Sequence, residues 1–168
     1  MDHPLLFGLF GESPIELAVE NDDAESVKAI LATGVDPNVV GGILGQRLWT
    51  VAFENGNDGI VKAFVESGAD LDRGDQSGRP FLLRLAARGA STVDLKRLLD
   101  LGADVSTVDA DGWTALHVVA SYGYLASASL LLDRGADRDA RTKQGKTPLD
   151  FAEINGQVAL VRLLLNGN

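Results

Sequence analysis

The stretch LLLDRGAD, from Leu130 to Asp137, decides the fold, because near-copies of it stand upstream. RLLDLGAD occupies 97–104, AFVESGAD 63–70 and AILATGVD 29–36. Their glycines, Gly34, Gly68, Gly102 and Gly135, are spaced by 34, 34 and 33 residues. A second series leads each copy: GESPIELAV from Gly11, GQRLWTVAF from Gly45, GRPFLLRLA from Gly78, GWTALHVVA from Gly112 and GKTPLDFAE from Gly145. A fixed period of this length marks an array of supersecondary units, none of which can bury its apolar face alone.

One unit shows the physics. After Thr114, the residues Leu116, Val119 and Ala120 recur at helical spacing, and small Ala120 lets a neighbouring helix approach closely. Gly123 suits the tight turn that ends this first helix. Leu130, Leu131 and Leu132 are read as the buried stripe of a second helix, which Gly135 stops. Asp36, Asp70, Asp104 and Asp137 open the turns between units, where a short carboxylate accepts backbone N–H bonds.

TPLDFA at 147–152 and TALHVV at 114–119, with SPIELA at 13–18 and the phased GAD and LLL elements, resemble the ankyrin repeat, whose signature is T-P-L-H-x-A. RLWTVA and PFLLRL fit mainly in apolar pattern. The resemblance implies an all-α solenoid of stacked helix–turn–helix units with short β-turn or hairpin tips, one domain over 1–168. Five units then run about 8–41, 42–74, 75–108, 109–141 and 142–168. It also implies a scaffold role for His117, the fourth place of the signature, with its ring hydrogen-bonded between adjacent repeats. His117 with Ser121 and Asp111 has the look of a catalytic group. A catalytic histidine, however, needs an orienting carboxylate and a nucleophile on converging elements. Ser121 lies one turn along the same helix, and no matching acid is evident.

Ankyrin arrays bind proteins through their tips and the exposed side of each first helix, and the resemblance carries those positions over unit by unit. They are Asp111, Trp113, Ser121, Tyr122 and Tyr124 in the fourth unit, and Lys143, Lys146, Ile154 and Asn155 in the fifth. Arg79 and Arg88 stand for the third, Gln46, Glu54 and Asn55 for the second, and Glu20 and Asn21 for the first. Trp113 and the two tyrosines are read as one aromatic group, flanked by Arg79, Arg88, Lys143 and Lys146. Either they are binding anchors, since Tyr and Trp are enriched in hot spots, or they cover the neighbouring helix. Trp49, at the Leu place of the second unit, reads as core beside Phe53 and Phe64.

Some features depart from the pattern. Pro80 replaces the usual Thr and removes a hydroxyl from its turn. An extra residue between Gly89 and Leu95 predicts a bulge, and the loop at 34–45 is long and apolar, with Val40, Ile43 and Leu44 as a contact patch or a cover for Trp49. PLLFGLF at 4–10 is expected to pack over the first unit. The apolar 159–165 segment predicts exposed surface and weak self-association.

Composition narrows the class. The 168 residues contain no cysteine, which excludes disulfides and thiolate chemistry. A net charge of −9 argues against nucleic acid or an anionic membrane as partner, and points to a protein with a basic surface. Residues 1–84 carry 6 Lys+Arg against 14 Asp+Glu, and residues 85–168 carry 9 against 10, so the acidity is concentrated in the first half. Asp2 and a short apolar run do not make a signal peptide, so the chain reads as cytoplasmic, or as periplasmic or secreted had a native leader been removed. No metal-ligand spacing and no phosphate loop is present, and no cofactor is expected. The expected function is a non-catalytic protein-binding module that masks or inhibits a partner, in its narrowest form an immunity or self-protection inhibitor of a toxin or hydrolase. The alternative is an adaptor joining two partners.

Overall fold

The computed structural model describes residues 13–41, 45–89 and 92–166. These residues form ten short helices and one small hairpin, in two compact units, Met1–Asp70 and Leu71–Asn168.

In the first unit, α1 (Pro14–Glu20) and α2 (Ala24–Leu31) form one helical pair, and α3 (Leu48–Glu54) and α4 (Asp58–Glu66) form the next. Between the pairs, β1 (Val40–Gly41) runs antiparallel to β2 (Gln46–Arg47), with Val40 opposite Arg47. Ser13 and Glu16 close a reciprocal capping box on α1, satisfying two donors that the first helical turn leaves unpaired. α1 packs on α3 and α2 on α4, so like helices stack. Trp49, Phe53, Ile60 and Phe64 are buried in the interior they share with Val19 and Val27. Trp49 is therefore core, as its place in the repeat predicts. Val40 is 51% exposed, whereas Ile43 and Leu44 lie outside the described residues, as do the 4–10 segment and residues 90–91 of the stretch between Gly89 and Leu95 where a bulge is expected.

The second unit continues the scheme with α5 (Phe81–Ala87), α6 (Thr92–Asp100), α7 (Ala115–Tyr122), α8 (Leu125–Asp133), α9 (Pro148–Ile154) and α10 (Val158–Asn166). First helices stack in the order α5, α7, α9, and second helices in the order α6, α8, α10. Flanked on both sides, α7 is buried at every position from Ala115 to Ala120. Gly123 ends it in the left-handed region at φ 85°, which a side chain would strain. The stripe of α8 differs from expectation: Ser127, Ala128 and Leu131 are buried, while Leu130 and Leu132 are half-buried. Three consecutive residues span most of a helical turn, so only the central leucine can face inward. Pro80 does leave α5 without a side-chain cap, whereas α7 and α9 each begin with a capping box, Thr114 with His117 and Thr147 with Asp150.

Three of the four turn acids are seen to do what their spacing predicts. Asp36, Asp104 and Asp137 accept the amides of Asn38, Ser106 and Asp139 at 2.8, 2.8 and 2.9 Å. Successive tips are also tied to each other. Within the first unit the Asp70 amide donates to Asn38 Oδ1 at 2.8 Å, and within the second the Asp104 amide donates to Asp72 Oδ1 at 2.9 Å.

Candidate protein-binding surface

The binding residues expected in the third, fourth and fifth repeats fall in the second unit, but they form two clusters, at opposite ends of the first helices. α7 has eight residues, so its ends lie about 12 Å apart.

The tip cluster contains Arg79, Asp111, Trp113, Lys143 and Lys146. Asp109 organises the fourth tip by accepting the amides of Asp111 and Trp113 at 2.9 and 3.0 Å, and Arg79 lies 3.8 Å from its carboxylate. The Lys143 amide donates to the Asp111 carbonyl at 2.9 Å, which locks the fifth tip against the fourth. Gly112 sits in this contact at φ 80°, and a Cβ there would stand 3.1 Å from the Lys143 nitrogen. Trp113 is half-buried, its ring 4.3 Å from Phe151 on α9 and 5.9 Å from His117. Trp113 thus packs across to the next repeat. The expected single aromatic group is resolved into a packed Trp at the tips and a tyrosine pair at the far end of α7.

That far end is the turn cluster: Arg88, Ser121, Tyr122, Tyr124, Ile154 and Asn155. Tyr122 and Tyr124 stack with centroids 5.6 Å apart and planes at 14°. Tyr122 is 57% exposed and Ile154 67%. The Asn155 amide group reaches Ser121 Oγ at 3.3 Å, which joins the ends of α7 and α9. The Tyr124 hydroxyl lies over Gly89, beside exposed Arg88, in the preceding repeat's turn. Three successive turns therefore sit side by side, with exposed aromatic and aliphatic groups on two of them.

Between the clusters lies His117, fully buried. Its Nδ1 is 3.1 Å from the Thr114 amide and 2.9 Å from Thr114 Oγ1, and its Nε2 is 3.1 Å from the Lys146 carbonyl. An amide can only donate, so Nδ1 accepts and the proton resides on Nε2, which donates to Lys146. The ring is neutral and fully engaged. Burial holds its pKa below the ordinary 6.5, against the opposing pull of the Lys146 carbonyl. Both ring nitrogens are taken by Thr114 and the Lys146 carbonyl, so among the described residues no serine or carboxylate is hydrogen-bonded to the ring, which bridges two repeats. Nor does any group of three or more His, Asp or Glu among those residues stand where it could hold a metal.

A family model of ankyrin repeats, in three copies, matches residues 82–168, half of the chain. The chain belongs to the ankyrin-repeat family. Curated relatives extend the likeness over nearly all of it. The human SH3 and multiple ankyrin repeat domains protein 2 is 30% identical over 92% of this chain and 8% of its own length. The mouse B-cell lymphoma 3 protein homolog is 32% identical over 98% of this chain and 40% of its own length. Human neurogenic locus notch homolog protein 1 is 31% identical over 84% of this chain and 6% of its own length. The chain thus spans well under half the length of these relatives. Ankyrin repeats are a protein-interaction fold, and no described helix is long and apolar enough to cross a membrane.

In ankyrin terms, His117 keeps the histidine of the signature, and Asp150 takes its place one repeat later. Asp150 accepts from the amide and hydroxyl of Thr147, bonds that hold its carboxyl below the usual carboxylate range. Sequence reasoning missed Phe151, the Trp113 partner, since nothing local signals a contact across two repeats. The closeness of the ankyrin tips gives a measurable expectation. Gly112→Ala should lower stability by about 1–3 kcal/mol, from left-handed strain plus the tip contact. Gly135→Ala shares the strain at φ 87° but has open space around it, and should cost less. Equal losses in urea denaturation would show that the tip contact contributes nothing.

Proposed function

We propose that this chain is a non-catalytic protein-binding module that occupies and masks one protein partner through its fourth and fifth repeats, anchored at the turn cluster. The carrying observation is exposed Tyr122, stacked on half-buried Tyr124, with exposed Ile154 on the neighbouring turn: large groups held by packed helix ends, so that binding immobilises little further. Tyr supplies much contact area at low rotamer cost, which is why it concentrates at interface hot spots. Charges at the tips add steering and register more than affinity. Trp113, packed on Phe151, holds the tip of the fourth repeat against the fifth. A narrower form of the reading is self-protection, in which the partner is a toxin or hydrolase whose cleft is blocked. An adaptor is the second reading, favoured by the exposed acids Glu20, Asp22, Asp23 and Glu25 of the first repeat as a further patch.

A paired pull-down tests the proposal, with the wild type and a Tyr122→Ala/Ile154→Ser variant as baits. Tyr122→Ala is expected to weaken binding of a captured partner by about 1–3 kcal/mol, with the unfolding midpoint nearly unchanged because the ring is exposed. Equal affinity for both baits would remove the anchor from this edge. Stoichiometric addition to a captured enzyme should abolish its activity if masking is the role. Undiminished activity, with a second protein captured alongside, would favour the adaptor.

A further inference from the structure

The fifth tip carries three cations and no acid between Arg141 and Lys146, whereas the matching residues 108–113 of the fourth carry two acids, Asp109 and Asp111, and no base. Elsewhere in the second unit Arg79, Arg84, Lys96, Arg97 and Arg134 each lie within 3.8 Å of a carboxylate. Lys143 and Lys146 are exposed and make no such ion pair among the described residues. Arg141, also exposed, places one N–H on the Gly145 carbonyl at 2.8 Å within its own turn, and the charges of Arg141 and Lys146 also reach the Asp150 carboxylate without forming an ion pair with it.

The turn beneath these side chains is rigidly held. The Thr142 amide donates to the Lys146 carbonyl at 2.9 Å, and the Gly145 amide to the Thr142 carbonyl at 2.8 Å. The Lys146 amide bonds Thr142 Oγ1 at 3.3 Å, and His117 pins the Lys146 carbonyl from inside. Cations on a fixed frame lose less freedom when they bind. Because the amides of Lys143, Gly145 and Lys146 are committed within the fold, there is no amide cradle to enclose a single phosphate. Spaced side-chain cations match a row of carboxylates instead.

We infer that the fifth tip receives an acidic peptide segment of the partner, its carboxylates on Arg141, Lys143 and Lys146. The reversal of sign at Asp109 and Asp111 makes the acidic run stop, or turn basic, where the segment reaches the fourth tip. The partner is acidic at this contact even though the chain as a whole is acidic. This rests on the protein-binding reading and names the chemistry of one part of the partner.

The test is a titration of isotope-labelled full-length protein, followed by amide chemical shifts at low ionic strength, with an oligoglutamate peptide, an oligolysine peptide and inorganic phosphate as probes. Oligoglutamate should shift the amides of residues 141–146. Lys143→Glu/Lys146→Glu should weaken it by about tenfold, and Lys143→Arg/Lys146→Arg should retain it. Both variants change exposed side chains, and thermal melts check that they fold. Unchanged affinity in the charge-reversed variant, or oligolysine shifting the same amides, would overturn the inference. So would saturation of the site by phosphate alone, which would make it a small-anion site. Failure here alongside success of the Tyr122/Ile154 pull-down would sink the acidic segment and leave the binding module standing.

Discussion

Trp49→Ala is expected to lower the unfolding free energy by about 3–5 kcal/mol, the range for removing a large aromatic from a packed interior. Trp49 is completely buried on α3, together with Ala52, Phe53, Ile60 and Phe64. Two features push the effect toward the upper end. α3 begins at Arg47 with no side-chain cap, so packing must hold it. The surrounding helices have only seven to nine residues and cannot collapse far into the void without losing their stacking on one another. Urea denaturation followed by circular dichroism measures the loss, and amide exchange should locate it in α1–α4. A loss below about 1 kcal/mol would mean the site relaxes and Trp49 is not the centre of that core.

His117→Leu should cost about 2–4 kcal/mol although the volume is nearly kept, because the buried Thr114 amide loses its acceptor and the Lys146 carbonyl loses a donor. The two repeats it joins should loosen together. The same residue predicts a pH dependence. Its folded pKa lies below the ordinary 6.5, so the unfolded chain takes up a proton first as pH falls. Its full stabilisation is present above 6.5 and declines as pH drops from there toward the folded value. His117→Leu should flatten that part of the stability–pH curve. Asp104 and Asp150, whose carboxyls are held below 3.8 by bonds from Ser106 and from Thr147, act in a lower window: their stabilisation is lost only as pH falls below 3.8. A wild-type curve flat between neutrality and the carboxylate window would contradict the assignment of His117 as a neutral bridge.

The fold was legible because its signals are local and repeat. The phased glycines mark helix ends that need a left-handed residue, TALHVV and TPLDFA carry their own caps, and the place of Trp49 in the period put it in the core. The site was legible only in part. Trp113 and Tyr122 are nine residues apart in one unit and read as neighbours, yet a whole helix separates them. The length of that helix was available from the sequence; the attraction of Trp113 to Phe151 was not, since it depends on how two repeats dock. In the same way Leu130 and Leu132 lose their inward place to Ser127 and Ala128, because flanking helices set the buried side of α8. Which cations stay unpaired is likewise decided by distances between repeats, which no spacing encodes.

The placement of the capping boxes also bears on the order of folding. Helices this short lie below the roughly 12–15 residues at which an isolated helix begins to persist, so a cap decides which of them is sampled often enough to nucleate. In the second unit α7 and α9 are capped and adjacent, while α5 starts at Pro80 without that help. Ordering should therefore begin with α7–α10 and propagate back to α5 and α6 as a one-dimensional zipper. A ribosome delivers these elements in the opposite sequence. The unit then gains its nucleus only after residues 114–166 have emerged, and until that moment the leucines of α5 wait for a partner, open to chaperones and to misassembly.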